Sequence, residues 1–219
     1  MAEEALSNAI QDYLKEIYKL RTDGGKATTT ALAKRLRVSP ASVSAMVKKL
    51  AVLGLVEHRR YHGATLTAAG ERVALEVIRH HRLLEQYLVK TLGLPIDAVH
   101  AEADRLEHAL SEELDAHIDR TLGFPTSDPH GDPIPGPDLR ITPTKATPLA
   151  TLEPGAKATV SRVPDGDGEL LRYLTSLKLT PGSRLEVRAS APFDGPVTVR
   201  VGGADHAISR ELAAQIGVT

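Results

Sequence analysis

The chain has no cysteine and no tryptophan in 219 residues, and aromatic residues make up only 3% of it. Without cysteine there are no disulfides, no thiolate zinc sites and no cysteine-held iron–sulfur clusters. With so few rings, a core drawn from the 42% hydrophobic content must be aliphatic, built from Leu, Val, Ala and Ile. No apolar run reaches membrane-spanning length, and the acidic start Met1-Ala2-Glu3-Glu4-Ala5 lacks an apolar signal core, so a cytoplasmic protein is expected. No internal repeat is found, no His-Glu-x-x-His or Glu-x-x-His sequence occurs, and there is no phosphate-binding loop. Zinc-protease and di-iron-bundle chemistry therefore lack their motifs.

Overall charge is also nearly absent, at -1, yet its distribution is uneven. From Lys26 to Arg72 there are nine Lys/Arg against Glu57 and Glu71, and from Asp97 to Arg120 eight acids against Arg105 and Arg120. The first segment suits phosphates and the second suits cations.

The basic segment has an ordered pattern. Residues 6–22 read as an amphipathic helix ended by Asp23-Gly24-Gly25. Thr28-Thr29-Thr30 can cap a short helix, Ala31 to Leu36, and Ser39-Pro40 opens a second that runs to about Leu53. Leu55–Tyr61, His62-Gly63 and Ala64–Leu66 read as a small hairpin, so a basic wing follows a helix-turn-helix. The residues expected to face DNA are Thr28, Ser39, Pro40, Ser42 and Ser44, with Lys48, Lys49, Arg59 and Arg60 adding phosphate contacts. Small side chains open the second helix, so shape readout is expected to carry much of any specificity. The competing reading is an ordinary helical hairpin with solvated lysines.

The acidic segment carries metal-ligand chemistry. His81 and Glu85 are one helical turn apart, as are His100 and Asp104, with Glu107 and His108 about a turn further on. On one continuous helix from Asp97 to about Leu122 these would share a face. Two neighbouring helices would then aim His/carboxylate sets at a common space. The competing reading is a solvated acidic face with incidental histidines; His58, His62, His80, His117, His130 and His206 are read as surface residues. Leu75, Val77, Ile78, Leu83, Leu84, Leu88 and Val89 spread around the preceding helix and are read as a dimer interface, against an interior hairpin. Residues 125–149 are rich in Pro, Gly, Asp and Thr, and beyond them Val160, Leu185, Val187, Val197, Val199 and Val201 alternate with polar residues as strands do. Glu169–Leu179 and Arg210–Ile216 read as short helices.

With Asp12-Tyr13-Leu14-Lys15-Glu16-Ile17-Tyr18, the winged helix, His-Arg-Leu-Leu-Glu at 81–85, the His-x3-Asp-x2-Glu-His helix and Gly-Asp-Pro-Ile-Pro-Gly at 131–136, the chain resembles the diphtheria toxin repressor/manganese transport regulator family over nearly its whole length. The resemblance implies a mainly α fold with a small β part: a winged helix-turn-helix over 1–72, a helical metal-binding and dimerisation domain over 73–140, a linker over 141–150 and an SH3-like (FeoA-like) barrel over 151–219. It implies a metal-dependent DNA-binding regulator of manganese or iron homeostasis, a repressor and not an enzyme. The partners it implies are a palindromic double-stranded operator and a second copy of the chain. It also implies two Mn2+ or Fe2+ ions per subunit. One site would use Asp12, Asp104, Glu107 and His108; the other His81, Glu85 and His100, joined by Asp167 or Glu169 from the C-terminal domain. Asp12 and Asp104 are hard oxygen donors, which favour manganese over softer metals. Lys15 departs from members that carry a glutamate there, since a protonated lysine cannot ligate. Two other classes stay open: a manganese or iron hydrolase with a DNA-tethering domain, and a winged-helix regulator of another effector.

Overall fold

A computed structural model describes residues 6–59, 63–143 and 145–219. Two compact units divide the chain: residues 1–80 with 107–110 and 135–140, and residues 81–106 with 111–134 and 141–219.

In the first unit, α1 (Asn8–Thr22), α2 (Thr29–Leu36) and α3 (Pro40–Val52) precede an antiparallel hairpin of β1 (Val56–Arg59) and β2 (Gly63–Leu66). Helices α2 and α3 begin where a side chain can satisfy their unpaired amides. Thr28 Oγ1 accepts from Ala31 N at 3.1 Å and Ser39 Oγ from Ser42 N at 3.1 Å, with Pro40 opening α3. The turn between them passes through Arg37, whose φ of 54° is left-handed. Apolar residues at helical spacing fill the core: Ile10, Leu14 and Ile17 from α1, Leu32 from α2, Val43, Val47 and Leu50 from α3, closed by Val56 and Ala64 of the hairpin. The helix-turn-helix and wing thus follow the expected order.

Helix α4 (Ala68–Lys90) starts on Thr67, whose hydroxyl accepts from Gly70 N at 3.1 Å and donates to Gly54 O at 2.8 Å. Gly70 is needed there, because a Cβ would lie 2.0 Å from the Leu55 carbonyl oxygen. Six of the seven apolar residues read as a dimer interface (Leu75, Val77, Ile78, Leu83, Leu84 and Leu88) are already buried within the single chain. They do not form an open subunit surface.

The single helix expected over 97–122 is not formed. It is divided into α5 (Val99–Leu106), a 3-10 turn at Glu107–Ala109, and α6 (Glu112–Thr121). Ser111 explains the restart: its Oγ accepts from Leu114 N at 3.3 Å, and Glu112, Glu113 and Asp115 crowd the first turn, where the helix dipole favours acids. Tightening to 3-10 geometry changes the angular phase of Glu107 and His108.

The second unit also contains the C-terminal sheet. Its six strands run in the order β3-β8-β4-β5-β6-β7, with β3 (Thr147–Pro148), β4 (Lys157–Arg162), β5 (Arg184–Ser190), β6 (Val197–Val201), β7 (Ala204–Ile208) and β8 (Gly217–Val218). All pairings are antiparallel, and register shifts within β4–β8 and β5–β6 help the sheet curl. Alternate residues Leu185 and Val187, and Val197, Val199 and Val201, point inward onto α7 (Gly168–Ser176) and α8 (Arg210–Gln215), as the periodicity predicted.

Leu50 is fully buried in α3. Leu50→Ala should cost about 2–5 kcal/mol, the range for emptying a well-packed leucine site. Urea unfolding would register this as a lower midpoint with an unchanged slope.

Candidate metal centres and nucleic-acid interface

Helix α3 presents one buried and one open face. Val43, Val47 and Leu50 point inward, while Ser39, Pro40, Ser42, Ser44, Lys48 and Lys49 are exposed. Two of the serines are partly committed to structure: Ser39 caps the helix, and Ser44 Oγ donates to Pro40 O at 3.0 Å. Thr28 likewise serves as the cap of α2. Arg59 ends β1, and Arg60 lies outside the described residues.

In the first unit, Asp12, Glu107 and His108 each offer a ligand atom, all within 4.8 Å of one another. His108 Nε2 lies 3.0 Å from Asp12 Oδ1 and 3.4 Å from Glu107 Oε1. The 3-10 turn brings consecutive residues Glu107 and His108 to this one point. His80 fixes that turn, with Nδ1 3.2 Å from the Glu107 carbonyl oxygen. Gln11 was not foreseen as functional. Its Oε1 lies 2.6 Å from His108 Nδ1, a contact in which the ring N–H donates and which orients the imidazole so that Nε2 faces Asp12 and Glu107. Burial raises the Asp12 pKa, and Glu107 adds to this against His108 and Lys15. Asp104, expected here, is grouped elsewhere.

The second unit holds two further groups. His81, His100 and Asp104 form one; Glu85, Asp128 and His130 form the other. His81 Nδ1 is 3.3 Å from Asp104 Oδ1, and His100 Nε2 is 3.7 Å from Asp104 Oδ2. Glu85, fully buried, faces both groups. Its Oε1 is 3.0 Å from His81 Nε2 and 3.1 Å from His100 Nδ1, while its Oε2 is 3.5 Å from His130 Nδ1. Those two imidazole nitrogens are themselves 3.1 Å apart. Metal–ligand bonds of about 2.0–2.2 Å at right angles separate neighbouring donors by about 3 Å, so the spacing suits a shared divalent ion.

Asp128 and His130 escaped the sequence reading because they lie in an irregular loop with no periodicity. The local signal was Asp-Pro-His-Gly-Asp, an Asx turn. Asp128 Oδ1 accepts from His130 N and Asp132 N, both at 2.9 Å. Gly131 then takes a φ of +93°, and a Cβ there would lie 1.9 Å from the Ser161 carbonyl oxygen. Glycine lets the loop close onto β4, just beyond which Val163 N donates to His130 O at 2.9 Å. His130, expected at the surface, is fully buried. Glu85 Oε2, Asp128 Oδ2 and His130 Nδ1 are all buried without a hydrogen-bond partner among the described residues. They are left with only long ionic contacts, Glu85 Oε2 to His130 Nδ1 at 3.5 Å and Asp128 Oδ2 to Arg82 Nε at 3.6 Å, which a cation held among them could replace.

The electrostatics agree. Burial pushes Glu85 up, but contacts from His100, His130 and His81 outweigh it and hold the carboxyl well below its usual range. Burial would lower His130, but Glu85, Asp128 and Asp165 raise it to about 8. Burial, Glu85 and Asp132 push Asp128 up to about 7, against Arg82 and His130.

Asp167 and Glu169 are not brought into either group. Both are exposed, and Asp167 Oδ1 is used as the cap of α7, accepting from Glu169 N at 2.9 Å and Leu170 N at 3.1 Å. The C-terminal acid that acts on His130 is Asp165, and the adjoining Gly166 would place a Cβ 3.9 Å from His100 Nε2.

Gln11→Ala should weaken metal binding at the Asp12 group by about 10–100-fold, the usual effect of freeing a ligating imidazole. Mn2+ titration against wild type would measure it. The raised His130 pKa sets a second expectation. A proton held more tightly in the folded state stabilises it below the unfolded value of 6.5, and that contribution is lost as pH rises through about 8. Without metal, thermal stability should therefore fall between these pH values; Mn2+ affinity should rise over the same window as the competing proton leaves. Melting curves with and without Mn2+ at a series of pH values test both signs.

Residues 5–64 match the family described as "Iron dependent repressor, N-terminal DNA binding domain". Residues 67–136 match "Iron dependent repressor, metal binding and dimerisation domain", and residues 147–219 match "FeoA domain". The iron-dependent repressor IdeR of Mycobacterium leprae is 31% identical over 97% of both chains. The diphtheria toxin repressor of Corynebacterium diphtheriae is 29% identical, again over 97% of each. A solved manganese-dependent transcriptional repressor in complex with manganese is 42% identical, with a TM-score of 0.87 over 96% of this chain and 99% of that one.

Proposed function

The chain belongs to the iron-dependent repressor family, and from that premise we propose that it is a manganese-activated repressor that binds a palindromic operator as a homodimer. It acts in the cytoplasm as a regulator and not as a hydrolase. The observation that carries this reading is the grouping of Asp12 on α1 with His108, 96 residues away in sequence, at 3.0 Å. A ligand set of this kind joins the helix that underlies the DNA-binding core to a distant segment of the same unit.

Manganese is favoured by the donors. Every candidate ligand is a carboxylate oxygen or an imidazole nitrogen, and Asp12 and Asp104 are hard. The relative solved with manganese supports the same assignment. We infer three positions per subunit instead of the expected two. Asp12, Glu107 and His108 hold one. His81 and His100 hold another, through the ring nitrogens that face either Asp104 or Glu85 Oε1, and Asp128 and His130 a third with Glu85 Oε2.

A bound divalent ion supplies positive charge that offsets the mutual repulsion of these carboxylates. Asp12 and Glu107 are then held together, which fixes α1 and, through Leu14 and Ile17, the packing of α3. Exposed Ser39, Ser42 and Ser44 meet the groove and Lys48 and Lys49 meet phosphates. In a dimer, two such helices enter successive major grooves about 34–36 Å apart. Metal and DNA affinities are then coupled reciprocally, by about 1–3 kcal/mol.

The test is a titration of promoter fragments in chelator and then in Mn2+. Binding that requires Mn2+, and a half-saturating Mn2+ concentration raised about 10-fold or more by Asp12→Ala, is expected. Equal binding in chelator would remove the metal switch.

A further inference from the structure

Lys15 is an unusual neighbour for a metal ligand. It lies one turn after Asp12 on the same face of α1, and it is only 6% exposed. Its Nζ is 2.6 Å from Glu107 Oε1, the oxygen that also faces His108 Nε2 at 3.4 Å. Its charge also reaches Asp12. An ammonium thus already sits on an atom that the proposed metal group must use, and it has no lone pair to offer a metal.

We propose that Lys15 is a built-in counter-ion that limits the Asp12–Glu107–His108 group to one divalent ion and raises the Mn2+ concentration at which that ion enters. This rests on the reading of that group as a metal site. Two carboxylates and one ammonium leave a single negative charge when His108 is neutral. One divalent ion turns this into a single positive charge. A second would place three positive charges in a half-buried space with no further acid among the grouped residues. In the metal-free protein the ammonium also keeps buried Glu107 paired, so the apo fold does not depend on metal to neutralise it. Lys15 is therefore a specificity and threshold residue: it sets how many ions bind and at what concentration.

The experiment measures Mn2+ stoichiometry and affinity on the full chain by equilibrium dialysis, with free Mn2+ read by electron paramagnetic resonance. The ion lost on Asp12→Ala defines the group. Lys15→Gln keeps a donor near Glu107 and removes the charge. It is expected to bind the same number of ions with about 10-fold or more tighter affinity for the Asp12-dependent ion. Lys15→Arg keeps the charge and should stay close to wild type. Lys15→Glu exchanges the cation for a ligand and should take up one additional ion. Circular dichroism melts establish that each variant is folded. If Asp12→Ala removes an ion but Lys15→Gln binds it no more tightly than wild type and Lys15→Glu adds none, the counter-ion role is wrong and the metal site stands. If Asp12→Ala removes no ion, the metal assignment of that group fails and the counter-ion role fails with it.

Discussion

Negative charge buried among histidines is the constraint around which each unit of this protein is arranged. Glu85 and Glu107 are essentially inaccessible, and Asp128 is nearly so. A carboxylate in such a place is strongly destabilising unless a cation or several donors face it. Each unit answers differently. Around Glu107, an ammonium from Lys15 and the imidazole of His108 converge. Around Glu85 there are three imidazoles, His81, His100 and His130, while Arg82 lies 3.6 Å from both Asp128 and Asp132. The second arrangement leaves three buried polar atoms without hydrogen bonds, so it is the less complete of the two.

That difference bears on function. The Glu107 group carries its own cation in Lys15, so on the proposed reading a metal there would exchange partners. The Glu85 group has protons where a metal would sit: His130 is raised to about 8 and Asp128 to about 7. On the proposed reading a metal there would displace protons, so its binding would follow pH.

Backbone geometry decides which ligands meet. The helix expected through residues 97–122 would have aligned Asp104 with Glu107 and His108. The 3-10 turn at Glu107–Ala109, with Ser111 capping a new helix, breaks that helical phase at Glu107 and His108. Asp104 consequently joins the histidines. Gly131 has a comparable role, since the contact of its backbone with Ser161 O is what carries His130 inward.

Much of this was legible in the chain itself. The caps Ser39 and Thr28, the apolar period of α1 and the alternating valines of β6 are local signals, because each depends on residues within a turn or a strand of one another. The absence of cysteine and the run of His and acids between 81 and 108 likewise restricted the donors to oxygen and nitrogen. The partition of those donors was not legible. Asp12 and His108 are 96 residues apart; His130 sits in an aperiodic loop, and Asp167 is consumed as a helix cap. Sequence alone determined the kinds of element and the kinds of ligand, since both follow from short-range chemistry. Only the tertiary structure decided which ligands share a point in space, because that depends on where a helix breaks, where a glycine permits close approach and which charges are buried together.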